Sequence, residues 1–303
     1  MWGGGQGDDY AVVEISSFQL QWVETFRPRV AVLLNTTCDH VDYHGSFFAY
    51  RETKERIFAC QTQEDFAVLN GDEETTETLR RRLSAKILCF SSTARPGGAC
   101  IFREGNELIY EPGDEVREAY PIKMIKIPGR HNLENVMAAL VVARICGCTP
   151  EGIVAAVENF KGMPHRIEYV GIKQGVSFYD DSKGTNVDAV RRALETFPAP
   201  TILLMGGRDK EGDFASLAPS IRDHVKLLIL FGEARARIHD LAGGIVPTQC
   251  VATLGQAIQT AYGEARSGDI VLLSPGCASF DEFRDYKDRG RFFRKMVEEL
   301  ADV

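Results

Sequence analysis

The sequence predicts an α/β protein of two domains, the second built on a doubly wound, mostly parallel sheet. Three observations carry this. The chain has 303 residues, more than one domain usually holds. From residue 201 onward, apolar runs of strand length alternate with segments of helical period, the pattern of strands joined by crossover helices. Between these regions, Gly162 and Pro164 punctuate the chain after an apolar helical pattern, and a proline disfavours helix in the residue before it. The expected domains are therefore residues 1–161 and 162–303.

In the first domain, the opening ten residues hold four glycines and no periodicity. Residues 11–15 (AVVEI) read as a strand buried on both faces, with Glu14 inside it and in need of a partner, because an isolated buried charge is strongly disfavoured. Residues 29–34 are a second buried strand, running into Asn35, Thr36, Thr37, Cys38, Asp39 and His40. Residues 46–60 read as a helix with Phe47, Tyr50, Ile57 and Phe58 on one face. Lys54 falls on that face, at i+7 from Phe47 and i+4 from Tyr50. It either snorkels there or points to a site also reached by Glu14 and His40. Strands are expected at 66–69 and 86–90 with a charged helix, 73–83, between them, a hairpin at 100–102 and 107–110, and a strand at 122–127. An amphipathic helix then carries Leu133, Val136, Met137, Leu140 and Val141, and another spans 150–160. Asn132 and Asn135 sit in the first turns of the former, where capping alone accounts for asparagine.

In the second domain, residues 166–170 and 176–179 read as strands joined by a turn. Strands follow at 201–205, 225–231, 246–250 and 270–273, with helices near 214–221, 234–241 and 254–262 and a last one reaching 300. This alternation is Rossmann-like. Polar clusters close three of the strands: residues 180–186 (DDSKGTN), 206–210 (GGRDK) and 274–279 (SPGCAS). In such sheets, ligands bind beyond the carboxyl ends of the strands, where helix N-termini favour anions. Arg166, Lys183 and Lys210 would supply positive charge there.

Composition narrows the function. With 35 Lys and Arg against 43 Asp and Glu, the net charge is −8, which argues against sequence-independent nucleic-acid binding. No apolar run approaches the ~20 residues of a membrane span, and the N-terminus lacks the charged and apolar regions of a signal peptide. A soluble, cytoplasmic chain is expected. The eight cysteines are dispersed without C-x-x-C pairs, so they read as reduced core residues, and Cys146-Gly-Cys148 is too isolated for a zinc site. No G-x-G-x-x-G opens a helix, which weakens a dinucleotide-dependent oxidoreductase.

Several short strings follow one another in order: EISSFQL around Glu14, NTTCDH ending on His40, YRETKERIF around Lys54, HNLEN at 131–135, PHR at 164–166, DDSKGTN, GGRDK and SPGCASFDEF. Together they resemble the Mur ligases over residues ~10 to 300, and their SSFQL, DSKGTN and SPGCAS elements resemble the D-glutamate-adding branch. The resemblance implies a central ATPase domain followed by the Rossmann-like domain. It also implies an ATP-dependent amide ligase of peptidoglycan synthesis, in which the carboxylate of UDP-N-acetylmuramoyl-L-alanine is phosphorylated and D-glutamate attacks the acyl phosphate. By the same resemblance, Glu14, His40 and a carbamylated Lys54 hold Mg2+, and Asn132, Asn135, Arg166 and Asp181 contact ATP. Lys183, Thr185, Lys210, Ser279, Phe280 and Tyr286 hold D-glutamate and the intermediate, with Lys54, His40 and Lys183 nearest the chemistry. Tyr286 replaces a phenylalanine of the family pattern. A monomer is expected.

The family pattern also has a UDP-binding N-terminal domain and a P-loop ending in Gly-Lys-Ser/Thr, whereas this sequence contains no Gly-Lys pair. The expectation is a partial central domain in an incomplete chain. The alternative is a non-catalytic remnant that binds a nucleotide or a partner.

Overall fold

A computed structural model describes residues 10–37, 41–113, 116–198 and 200–300. It divides into two compact units, Met1–Met124 with Glu134–Val154, and Ile125–Leu133 with Ala155–Val303.

The first unit begins with a one-turn helix α1 (Ser17–Leu20), closed at its start by a capping box in which the Ser16 side chain accepts from the Gln19 N–H. Then come β1 (Val30–Leu33), α2 (Val41–His44), α3 (Phe47–Glu55), β2 (Phe66–Asn70), α4 (Thr76–Arg80), β3 (Lys86–Ser91), β4 (Cys100–Glu104), β5 (Glu107–Gly113) and β6 (Val116–Pro121). The strands lie in that order in one sheet, parallel from β1 to β4 and antiparallel from β4 to β6. Side chains alternate across a strand, so Ala67 and Leu69 of β2 face one way, where they pack with Ala31, Phe58, Leu79 and Cys89. Two helices follow, α5 (Arg130–Ile145) and α6 (Pro150–Asn159).

Two expected strands do not form. Residues 11–15 have no ladder; Val12 is 96% and Val13 64% exposed, and Glu14 is exposed rather than buried. Apolar composition asks for burial, but a strand exists only through a neighbour, and among the described residues β1 pairs with β2 alone. Residues 122–127 give a 3-10 turn, Ile122–Met124, instead of a strand. The edge partner of β5 is the more polar β6, in a register that sets Leu108 opposite the buried Tyr120 and ends on Pro121, a residue with no N–H to extend the ladder.

The sheet of the second unit starts with a hairpin of β7 (Glu168–Lys173) and β8 (Val176–Asp180). Its turn residues Gln174 and Gly175 both have positive φ, 48° and 76°, the left-handed pair whose twist matches a two-residue hairpin. There follow α7 (Val187–Leu194), β9 (Thr201–Gly206), α8 (Ala218–His224), β10 (Val225–Phe231), α9 (Arg235–Ala242), β11 (Thr248–Cys250), α10 (Leu254–Glu264), β12 (Ile270–Gly276) and α11 (Tyr286–Glu298). The sheet order is β11-β10-β9-β12-β8-β7, all parallel except β7. Leu203 and Met205 pack on one face with Val190, Leu194, Ile221 and Ile238 of α7 to α9; Ile202 and Leu204 pack on the other with Leu254, Ile258, Phe293 and Val297 of α10 and α11. Helices on both faces make this the doubly wound sheet that the alternation predicts. The chain passes from β8 to β9 and later returns with β12 between them, so the strand order reverses at their carboxyl ends.

Candidate active site at the carboxyl ends of the second sheet

Parallel pairing sets Asp180 beside Leu273, and Gly276 beside Gly206, so β8, β12 and β9 end at one level. Their loops are bonded to one another. The Asp181 N–H donates to the Leu273 carbonyl at 2.8 Å, and the Gly276 N–H to the Gly184 carbonyl at 2.9 Å. Arg208 and Ala278 exchange N–H···O bonds of 2.8 and 2.9 Å. The last pair needs Gly207, with φ 124°, because a Cβ there would lie 2.3 Å from the Ala278 carbonyl oxygen. The three polar strings that the sequence singles out are thus one hydrogen-bonded rim.

On this rim Lys183 is half-buried, its Nζ 4.9 Å from the centre of the Tyr286 ring. Thr185 is half-buried one residue before Asn186, whose side chain caps α7 by accepting from the Ala189 N–H at 2.8 Å. Lys210 is exposed, Ser279 is buried, and Phe280 is 61% exposed. Arg166 is exposed too, between two residues in the left-handed region, His165 (φ 65°) and Ile167 (φ 48°). For a β-branched residue this is a genuine outlier, of the kind that persists only where the surroundings over-determine it. They do so here. His165 donates its N–H to Glu168 Oε2 (2.9 Å), accepts on its carbonyl from the Lys183 N–H (3.1 Å), and holds Asp180 Oδ2 with Nδ1 at 2.8 Å.

Asp181 is buried and accepts from Ser274 Oγ at 2.7 Å. Burial pushes its carboxyl up to about 7, against the hydrogen bonds from Ser274 and the Ile167 N–H that favour the charged form; the nearby Asp180 pushes it further up and Arg166 pulls it down.

Sequence reasoning missed the two residues beneath this rim. Arg289 of α11 has no exposed surface, and its Nη2 donates to the Ser182 carbonyl (2.8 Å) and the Cys277 carbonyl (3.1 Å), tying the loop after β8 to the loop after β12. Burial lowers its guanidinium to about 10, well above neutrality, so the charge is kept. Gly290 is the second: a Cβ there would stand 2.2 Å from His165 Nδ1 and 2.5 Å from both Asp180 Oδ2 and Ser182 Oγ. An Arg-Gly pair in a charged helix reads as surface, and only the packing reveals its place. His165, Glu168 and Asp180 bring donor atoms within 4.8 Å of one another. Arg294 also bonds Glu168, at 2.5 Å, so these groups form a hydrogen-bonded frame.

The other candidates lie elsewhere. Asn132, in the first turn of α5, donates its Nδ2–H to the Pro128 carbonyl at 2.6 Å, and Asn135 is exposed. In the first unit, Lys54 is half-buried with Nζ 5.1 Å from the Tyr50 ring centre. The Tyr50 ring lies 5.3 Å from His44, and His44 Nε2 meets Ser17 Oγ at 3.0 Å, so the EISSFQL segment and the helix of Lys54 are linked. His40 lies outside the described residues.

Comparison with known proteins agrees with this architecture. Residues 4–143 match the Mur ligase middle domain and residues 165–277 match the Mur ligase glutamate ligase domain. The chain belongs to the Mur ligase family. It is 55% identical over 298 residues to the UDP-N-acetylmuramoylalanine--D-glutamate ligase of Syntrophus aciditrophicus, a match that covers 98% of this chain and 66% of that relative. With the ligase of the same name from Acidobacterium capsulatum, identity is 44% over 96% of this chain and 63% of the relative. This Mur ligase chain therefore spans a little under two-thirds of such relatives. Among solved structures, MurF from Thermotoga maritima in complex with ADP is similar in fold, with a TM-score of 0.62 at 20% identity over 91% of this chain and 64% of that one. MurC from the same organism gives 0.63 at 17% identity over 93% and 62%. No described helix is long and apolar enough to cross a membrane.

Proposed function

We propose that this chain is the central and C-terminal part of an ATP-dependent ligase that joins D-glutamate to UDP-N-acetylmuramoyl-L-alanine in peptidoglycan biosynthesis. Residues 1–161 serve the nucleotide, and residues 162–303 serve the amino acid and add two nucleotide contacts. The observation that carries this reading is the convergence of the loops after β8, β9 and β12 into one rim bearing Lys183, Thr185, Lys210 and Ser279. Two cations and two hydroxyls on a rigid sheet edge suit a ligand with two carboxylates, because charge-assisted hydrogen bonds to carboxylates are the strong ones. The likeness to the D-glutamate ligases supports the choice of amino acid.

In this reading Asn132, Asn135, Arg166 and Asp181 hold ATP, and Phe280 and Tyr286 line the amino-acid side. The donor set of Glu14, His40 and Lys54 fits Mg2+ if Lys54 is carbamylated, since that turns an ammonium into an oxygen donor suited to a hard cation. Bound Mg2+ would neutralise charge on the phosphates. The protein's own contribution is to hold the amine in line with the activated carboxyl carbon, which lowers the entropic cost of the bond-forming step.

Calorimetric titration of the chain with D-glutamate tests the amino-acid side. Binding is expected, and Lys210→Ala should weaken it roughly ten- to a hundredfold, matching ~1.5 to 3 kcal/mol for one charge-assisted hydrogen bond. Equal affinity in the variant, or tighter binding of L-alanine than of D-glutamate, would overturn the assignment.

A further inference from the structure

We propose that His165 takes the proton from the ammonium group of the incoming amino acid, with Asp180 as the group that orients it. The inference rests on the reading of the rim as the amino-acid site. D-glutamate at neutral pH is an ammonium ion, and an ammonium nitrogen has no lone pair with which to attack an acyl phosphate. A site that binds it needs an acceptor in reach.

The imidazole of His165 is held as such acceptors are. Its Nδ1 faces Asp180 Oδ2 at 2.8 Å, and the Asp180 side chain is 1% exposed, with its other oxygen accepting from the Ser182 N–H at 2.8 Å. A buried carboxylate that accepts from Nδ1 holds the ring proton there and leaves the lone pair on Nε2. No protein group is bonded to Nε2 among the described residues, and the side chain keeps 13% of its surface. The backbone accepts a left-handed conformation to put the ring there. Gly290 gives up its side chain to the same end.

The ring also stands beside the proposed ligand groups. Tyr286 meets His165 edge-on, with centroids 6.1 Å apart, while Lys183 Nζ lies 4.9 Å from the same tyrosine ring. The groups around His165 are Asp180 from β8, Glu168 from β7 with Arg294 behind it, Tyr286 from α11, and Lys183, whose backbone N–H bonds the His165 carbonyl and whose Nζ stands over the Tyr286 ring. Arg166 and Asp181 adjoin them along the chain. The step balances. One proton passes from the ammonium nitrogen to Nε2, giving an imidazolium with Nδ1–H still on Asp180. The freed electron pair on nitrogen forms the C–N bond, the acyl C–O bond breaks, and phosphate leaves with the pair of that broken bond and takes up the second amine proton.

The test is nitrogen NMR of the chain labelled at histidine and lysine, at neutral pH. Before ligand, His165 should show the Nδ1–H tautomer. D-glutamate should shift Nε2 toward its protonated position, whereas glutarate, with both carboxylates and no amine, should move Lys183 and Lys210 but leave Nε2 in place. Asp180→Asn should abolish the D-glutamate effect on Nε2; if that variant does not fold, the two-ligand comparison decides alone. Equal Nε2 shifts with both ligands, or movement of the lysines without any at Nε2, would overturn the role of His165 while the amino-acid site stands. No movement at either lysine with either ligand would overturn that site and the inference with it.

Discussion

Asp181 gives the sharpest handle on this fold, because its burial and its chemistry pull against one another. Its carboxyl stands at about 7 in the folded chain against an ordinary 3.8, chiefly because burial penalises the charged form. The sign follows from proton binding. Between these two values the unfolded chain has released the proton and the folded chain still holds it, so folding is linked to proton uptake. The group's contribution is fully present below pH 3.8 and is lost as the pH rises toward 7. At about 1.4 kcal/mol for each tenfold change in proton affinity, the interval corresponds to about 4 kcal/mol. Asp181→Asn keeps the shape and an acceptor for the Ile167 N–H but cannot ionise. Urea unfolding of the chain and this variant at steps from pH 4 to pH 8 is the assay. The variant should gain on the wild type steadily as the pH rises, by about 4 kcal/mol in all, with the gain levelling off above pH 7. A difference that stays constant within about 1 kcal/mol, or one that runs the other way, would refute the reasoning.

Three other outcomes follow from the packing. Arg289→Met should cost about 3 to 5 kcal/mol in denaturant unfolding, since it strands the Ser182 and Cys277 carbonyls and removes a buried charge near Asp180 and Asp181; a cost below about 1 kcal/mol would mean that the two loops hold without it. Gly290→Ala should lower stability by about 1 to 3 kcal/mol, and His165→Ala in the same chain should recover part of that loss because the nearest of the three clashes is with the imidazole. Asp72 carries its own pH signature: burial pushes its carboxyl up, but hydrogen bonds from Ser91, Thr93 and Ser92 outweigh it and hold the group below the usual range. Its contribution is present above the ordinary carboxylate range and lost on acidification, so Asp72→Ala should cost more at pH 7 than at pH 3, by circular dichroism on urea titration.

The sequence by itself determined the second sheet almost whole. Strand-length apolar runs that alternate with helical periods leave little choice of architecture, and alternation within a strand assigns Leu203 and Met205 to one layer and Ile202 and Leu204 to the other. It also marked the three loops of the rim, because their strings of Gly, Asp, Ser and Lys interrupt otherwise apolar strands. What it misjudged shares one cause. Residues 11–15 look like a buried strand and residues 116–121 do not, yet only the latter form one, because a ladder depends on a partner that local composition does not name. The floor of the rim was hidden for the same reason. Arg289 and Gly290 follow β8 by more than a hundred residues, and nothing near them announces that a guanidinium will bridge two carbonyls or that an imidazole will need the space of a missing Cβ. Tertiary structure alone decided which positions could meet, since close packing turns distant residues into neighbours within a few ångströms while sequence records only their order.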